Sequence, residues 1–161
     1  MSRLTELPFN LPGRIFRSQM PWSGIYDPEG DAYCEFKQSN ISLVVLLAEE
    51  DECLEKAGRN LADLYRDDGL DVIHLPIPDY GVPRLEDLAA AVAATTEEAS
   101  KGRNIVIHCS GGIGRTGTFL ACLARYVLRL SGEEAVSWVR QYVPRAVETP
   151  EQYQLVKRFN R

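Results

Sequence analysis

Between positions 108 and 116 the chain reads His-Cys-Ser-Gly-Gly-Ile-Gly-Arg-Thr, which sets one thiol, three glycines and one guanidinium into a single short stretch. Cysteine attacks as its thiolate, and helix N-termini and neighbouring cations favour that form. Gly111, Gly112 and Gly114 let a loop backbone take conformations that other residues resist. The amides of Ser110, Gly111, Gly112, Ile113 and Gly114 can then converge on one point as an anion nest, and a helix starting just beyond adds partial positive charge. Arg115 offers a planar fork for two oxygens of the same anion. A cation at a helix start is otherwise disfavoured by the macrodipole, so its presence points to an anionic partner. A thiolate beneath an oxyanion cradle is the arrangement that in-line displacement at phosphorus requires. From the chain's own residue frequencies, the pattern H-C-x5-R-[S/T] would arise by chance in about 4 of 10,000 such sequences.

The surrounding elements must hold that segment in place. Asn104–His108 is a short apolar run of strand type leading into the loop, and a helix is predicted from Thr116 to about Leu130. Ile41–Ala48 has the composition of a strand buried on both faces, and Arg14–Arg17 and Asp71–Leu75 read as two shorter strands. Asp27 reads as an N-cap with Pro28 at the first helical position, opening a helix toward Gln38. Leu54, Ala57, Leu61, Leu64 and Tyr65 recur at helical spacing, with Gly69 as the stop. Further helices are predicted over Leu85–Ser100, closed by Gly102, over Glu133–Tyr142, and over Pro150–Phe159, which opens on the capping box Thr149-Pro150-Glu151-Gln152. Strands alternating with helices predict an α/β fold: a central, mainly parallel sheet of about four to five strands with helices on both faces. Residues 1–161 read as a single domain whose positions 1–12 are irregular.

Composition narrows the function. Eighteen basic against 23 acidic residues leave a net charge of −5, which argues against nucleic acid as a partner. The longest apolar run is too short to cross a bilayer and the N-terminus lacks a signal-peptide core, so the expectation is a cytoplasmic protein with no membrane partner. Cys34, Cys53, Cys109 and Cys122 are widely spaced and read as free thiols. His74 and His108 are the only histidines, and no cluster has ligand spacing, so no metal is expected.

HCSGGIGRTG resembles the signature loop of the cysteine-dependent protein tyrosine phosphatase superfamily, and residues 10–159 are similar to its small dual-specificity type. Residues 61–83 resemble the kinase-associated phosphatase subgroup, and AVETPEQY (146–153) resembles a segment of small archaeal and bacterial members. The resemblance implies a dual-specificity-like fold, no cofactor, Cys109 as a nucleophile forming phosphocysteine, and Arg115 with the loop amides as the phosphate site. Asp79, thirty positions before Cys109 in HLPIPDYGVP, matches the general acid of the family; in isolation an aspartate in a Pro/Gly loop is turn chemistry. Asp71, at a strand start, is a weaker candidate. Thr116 would hydrogen-bond the leaving sulfur or cap a helix, and His108 would orient the loop or simply fill the core. Gln152 matches a position that, in related enzymes, helps place the hydrolytic water, although its capping box fully accounts for it. Arg17 reads as a structural ion-pair residue, and Glu148 reads as structural first, with a place near the pocket also open. Where relatives read R-P-G-A, this chain has Val143-Pro144-Arg145-Ala146, which leaves Arg145 as positive charge near the pocket mouth.

The implied activity is a metal-independent phosphoric monoester hydrolase acting on a phosphorylated protein, phosphotyrosine first, with phosphoserine and phosphothreonine also open. Positions 110–114 contain no lysine, which disfavours a highly charged inositol phosphate. Two other classes could use such a loop. A phosphoprotein-binding module would need neither Cys109 nor Asp79. A thiol-based transferase or reductase would want a resolving thiol, for which Cys122 is the candidate.

Overall fold

The computed structural model describes residues 2–160; Met1 and Arg161, which the expected domain includes, lie outside the described residues. Five strands form one sheet: β1 (Thr5–Leu7), β2 (Ile15–Ser18), β3 (Ile41–Leu46), β4 (Asp71–His74) and β5 (Asn104–His108). Their order is β1-β2-β5-β3-β4, parallel throughout except that β1 lies antiparallel on the edge of β2. This is the mainly parallel α/β sheet expected. One correction falls at the N-terminus, where β1 sits inside the segment expected to be irregular. Leu7 is buried there, and Pro8, which has no N–H to give a ladder, ends the strand after three residues.

Strand order explains why helices cover both faces. From β2 the chain skips one position to β3, moves out to β4, and then returns over β3 to insert β5 beside β2. Right-handed crossovers put helices of the outward run on one face and those of the return run on the other. Accordingly α1 (Asp31–Gln38), α2 (Glu50–Ala57) and α3 (Leu61–Asp67) pack on one side. The other side carries α4 (Leu85–Ser100), α5 (Gly114–Leu128), α6 (Gly132–Arg140) and α7 (Pro150–Arg158). Alternate residues of the central strands feed the two cores: Leu43, Val45, Ile105 and Ile107 face the second layer, while Val44, Leu46 and Val106 face the first. Burial on both faces is why β3, apart from Ser42, and the Ile105–Ile107 centre of β5 read as apolar runs.

Helix α5 runs from Gly114 to Leu128 and α6 from Gly132 to Arg140, each within two residues of the expected bounds, and two other helices depart further. Asp27 does cap a helix, but from a distance: its carboxylate accepts the N–H groups of Asp31 and Ala32, both at 3.0 Å, and α1 begins only after left-handed Gly30. The helix expected from Leu54 to Tyr65 is broken in two, because Gly58 closes α2 at φ 73° and the Asn60 side chain caps α3 by accepting the Asp63 N–H. No helix among the described residues is long and apolar enough to cross a membrane.

Candidate active site

The carboxyl ends of the four parallel strands are level: Ser18 pairs with His108, His108 with Leu46, and Leu46 with His74. The loops that follow them therefore open on one edge of the sheet. β5 lies at the switch in strand order, flanked by β2 and β3, which is where α/β sheets form a ligand crevice. A cavity of about 220 Å³ occupies this place, lined among others by Cys109, Arg115, Asp79, Lys56 and Glu148. Cys109 is the only cysteine lining it among the described residues.

The loop after β5 is shaped by its carbonyls. Cys109 C=O accepts from His108 Nδ1 at 3.0 Å, and Ser110 C=O from the Met20 N–H at 2.8 Å. Gly111 C=O and Gly112 C=O accept from Arg17 Nη2 and Nε, at 2.9 and 3.0 Å. In a planar trans peptide the next N–H points opposite to the C=O. Four pinned carbonyls thus turn the N–H groups of Ser110, Gly111, Gly112 and Ile113 the other way, and among the described residues none of these amides has a protein acceptor. Gly112 requires its glycine twice over: its φ is +75°, and a Cβ would stand 2.5 Å from both Arg17 Nη2 and Ser18 C=O. Arg17 is therefore not the ion-pair residue expected. It is a clamp on two loop carbonyls.

Arg115 is 2% exposed and its donors are almost all engaged. Nη1 donates to Glu52 Oε1 at 2.7 Å and to Ile77 C=O at 2.8 Å, while Nη2 donates to Glu52 Oε2 at 2.7 Å and lies 3.2 Å from Asp79 Oδ1. Of the five guanidinium N–H groups, Nε is left without an acceptor among the described residues. Lys56, one turn beyond Glu52 on α2, reaches Glu52 at 2.9 Å, Ser110 Oγ at 3.1 Å and Asp79 Oδ2 at 3.5 Å. Burial pushes the Glu52 carboxyl up, but hydrogen bonds and charge from Arg115 and Lys56 outweigh it and hold it at about 2. Sequence reasoning missed Glu52 and Lys56. Their signal was an i,i+4 acid–base pair on the helix that follows β3, the neighbour of the loop-bearing strand.

Thr116 Oγ1 donates to Cys109 Sγ at 3.0 Å, both groups being buried. His108 is fully buried, and burial pushes its imidazole down to about 4, so the ring is neutral. Its Nδ1 must carry the proton, because it faces a carbonyl; Nε2 then accepts from the Tyr65 hydroxyl at 2.8 Å. The β5 terminus is thereby tied to α3.

Other expected residues fall at varying distances from the cavity. Gln152 is buried outside its lining; Oε1 accepts the Glu148 and Thr149 N–H groups, and Nε2 donates to Gly81 C=O in the Asp79 loop at 3.3 Å. Glu148 does line the cavity, with its carboxylate against Gly114, where a Cβ would meet it at 2.2 Å. Arg145 is exposed but outside the lining, and Asp71 pairs with Arg103 at the opposite end of β4. No cluster of three or more potential metal ligands exists among the described residues.

The chain resembles known proteins in sequence and in fold. An uncharacterized protein of Methanocaldococcus jannaschii is 42% identical over 89 residues, covering 54% of this chain and 58% of that protein, so the match spans little more than half of the relative. Tk-PTP, solved in an active form, aligns with a TM-score of 0.76 at 33% identity over 90% of both chains. The kinase associated phosphatase KAP, solved with its catalytic cysteine replaced by serine, has a TM-score of 0.86 over 95% of this chain and 90% of its own. At 24% identity that likeness concerns the fold alone. Residues 19–129, which contain the phosphate loop, the Glu52–Lys56 pair, Asp79, Cys109 and Arg115, match the family described as "Polymorphic toxin system, DSP-PTPase phosphatase", and the chain belongs to that phosphatase family.

Proposed function

We propose that the protein hydrolyses phosphoric monoesters on phosphorylated proteins, phosphotyrosine above all, through a phosphocysteine intermediate. The observation that carries this reading is Cys109 lining a cavity beside four outward-turned amides and Arg115. In the first step the Cys109 thiolate attacks phosphorus and the ester P–O bond breaks. Asp79 gives its proton to the departing oxygen. In the second, Asp79 takes a proton from water as the water oxygen attacks phosphocysteine, the S–P bond breaks, and inorganic phosphate leaves with the thiolate restored. The amides of Ser110, Gly111, Gly112, Ile113 and Gly114 hold the equatorial oxygens, and the chemistry needs no metal ion. Thr116 donates to the sulfur when it is the leaving group, and His108 positions the loop from below. Gln152 acts as a positioning residue through Gly81.

The occupancy of Arg115 adds detail. Its unengaged Nε and the Nη2 hydrogen that faces Asp79 form one edge of the guanidinium, suited to two phosphate oxygens. A phosphate docking on that edge takes the place of the Asp79 carboxylate. Asp79 is then released toward the leaving oxygen at the moment substrate arrives.

Hydrolysis of para-nitrophenyl phosphate and of phosphotyrosine and phosphoserine peptides, followed against pH with a chelator present, tests the reading. It needs thiolate and protonated Asp79 together, so the wild-type profile is bell-shaped. Cys109→Ser abolishes turnover, and Asp79→Asn costs about 10²–10⁴-fold and removes one limb of the bell. Phosphopeptide binding without turnover by the reduced wild-type protein would replace the reading with a binding module. The reductase alternative has no support here: Cys122 is fully buried in α5 and burial pushes its thiol up.

A further inference from the structure

The cavity has an apolar rim that phosphate chemistry does not use. Five large hydrophobic side chains are exposed among the described residues, and Ile25, Tyr26, Tyr80 and Val82 are four of them. The first three line the cavity, and Val82 follows Tyr80 in the same loop. Exposed hydrophobic residues scattered singly are ordinary, whereas a cluster rimmed by polar groups marks a binding surface.

Both sides of the rim are held in place. On one side, the Met20 N–H donates to Ser110 C=O and the Asp27 N–H to Ser23 C=O, each at 2.8 Å, while Arg3 Nη1 donates to Tyr26 C=O at 2.8 Å. The Tyr26 hydroxyl stands 3.2 Å from where a side chain on Gly111 would begin, so this ring leans over the phosphate loop. On the other side, Tyr80 has a left-handed backbone with φ 62°, a conformation that is costly for a bulky residue. The turn is closed by the Gly81 N–H donating to Pro78 C=O at 2.8 Å, and Asp79 Oδ1 accepts the Tyr80 N–H at 3.1 Å. Glycine or asparagine would hold this turn with less strain. The residue here is instead a tyrosine that is 63% exposed and follows Asp79 directly.

Charge narrows the occupant. Of the cations that line the cavity, Arg115 is buried, and Lys56 is already shared by Glu52, Asp79 and Ser110. Glu148 adds a carboxylate to the lining. Acidic residues beside the phosphorylated one would find repulsion there, and apolar ones would find Ile25 and Val82.

Building on the phosphatase reading above, we propose that this rim selects a phosphotyrosine flanked by apolar residues, its ring lodged between Tyr26 and Tyr80 and its neighbours against Ile25 and Val82. The test compares kcat/KM for two phosphotyrosine peptides that differ only in carrying leucine or glutamate on either side, with para-nitrophenyl phosphate as a third substrate. Wild type prefers the leucine peptide by about tenfold, the scale of one good aromatic or apolar contact. In Ile25→Ser that ratio falls toward one, whereas Tyr80→Asn, which removes a contact to the phosphotyrosine ring common to both peptides, lowers kcat/KM on both and leaves the ratio in place. The Tm of Tyr80→Asn does not fall, because asparagine suits the left-handed turn. Equal rates on both peptides, or a preference for the glutamate peptide, in a wild type that hydrolyses para-nitrophenyl phosphate overturns the rim proposal alone. No hydrolysis of any of the three substrates overturns the phosphatase reading with it.

Discussion

Replacing Glu52 by glutamine removes one charge from the site and keeps the side chain's shape. The carboxylate accepts two hydrogen bonds from Arg115 at 2.7 Å and one from Lys56 at 2.9 Å, and its side chain is only 10% exposed, so water cannot take its place. Held at about 2 rather than at its ordinary 4.5, the ionised carboxyl contributes about 3 kcal/mol to folding. Removing one partner of a buried ion pair costs about 3–5 kcal/mol elsewhere, which agrees. At about 2–4 °C per kcal/mol for a domain of this size, the Tm of Glu52→Gln at neutral pH falls by about 6–12 °C. The pH dependence has a definite sign. A folded-state value below the unfolded one gives a contribution that is complete above pH 4.5 and is lost as pH falls toward 2. Glutamine lacks that contribution at every pH, so the gap between wild type and variant narrows below pH 4.5. Calorimetry of both proteins across that range reads the gap directly. A gap that stays constant with pH, or a variant within about 2 °C of wild type at neutral pH, refutes the reasoning.

Two further predictions concern the loop and its support. His108 is buried neutral at about 4 against an ordinary 6.5, so wild-type stability is full above pH 6.5 and declines by about 3 kcal/mol as pH falls toward 4. Urea melts over that range check it, a flat profile would sink it, and Tyr65→Phe, which strips Nε2 of its donor, costs a further 1–3 kcal/mol or so at neutral pH. Gly112→Ala meets Arg17 and Ser18 at 2.5 Å in a left-handed backbone, whereas Gly111→Ala meets only the Tyr26 ring end at 3.2 Å. The first variant therefore loses about 10²-fold or more in kcat/KM on an aryl phosphate through a misplaced cradle while the second loses far less, and equal losses would refute the carbonyl-pinning account.

What the sequence discloses depends on how far apart the interacting residues lie along it. The phosphate loop is legible because its parts are contiguous: strand, thiol, glycines, guanidinium and helix follow one another within residues 104–128. The two central strands are legible because burial on both faces leaves apolar runs, interrupted in β3 only by Ser42. Arg17 was visible as a charged residue in a strand, but its partners, the carbonyls of Gly111 and Gly112, lie more than ninety positions away and carry no side-chain signature. Glu52 and Lys56 look like an ordinary solvated helix pair in sequence. Only the pairing of β3 with β5 brings that pair under the loop, and no local pattern encodes which strand β5 will insert beside. The same pairing turns the helix break at Gly58 from an irregularity into a requirement, since α2 must stop short for α3 to place Tyr65 on His108. The chemistry of the site is thus written locally, and its electrostatic support is written in topology.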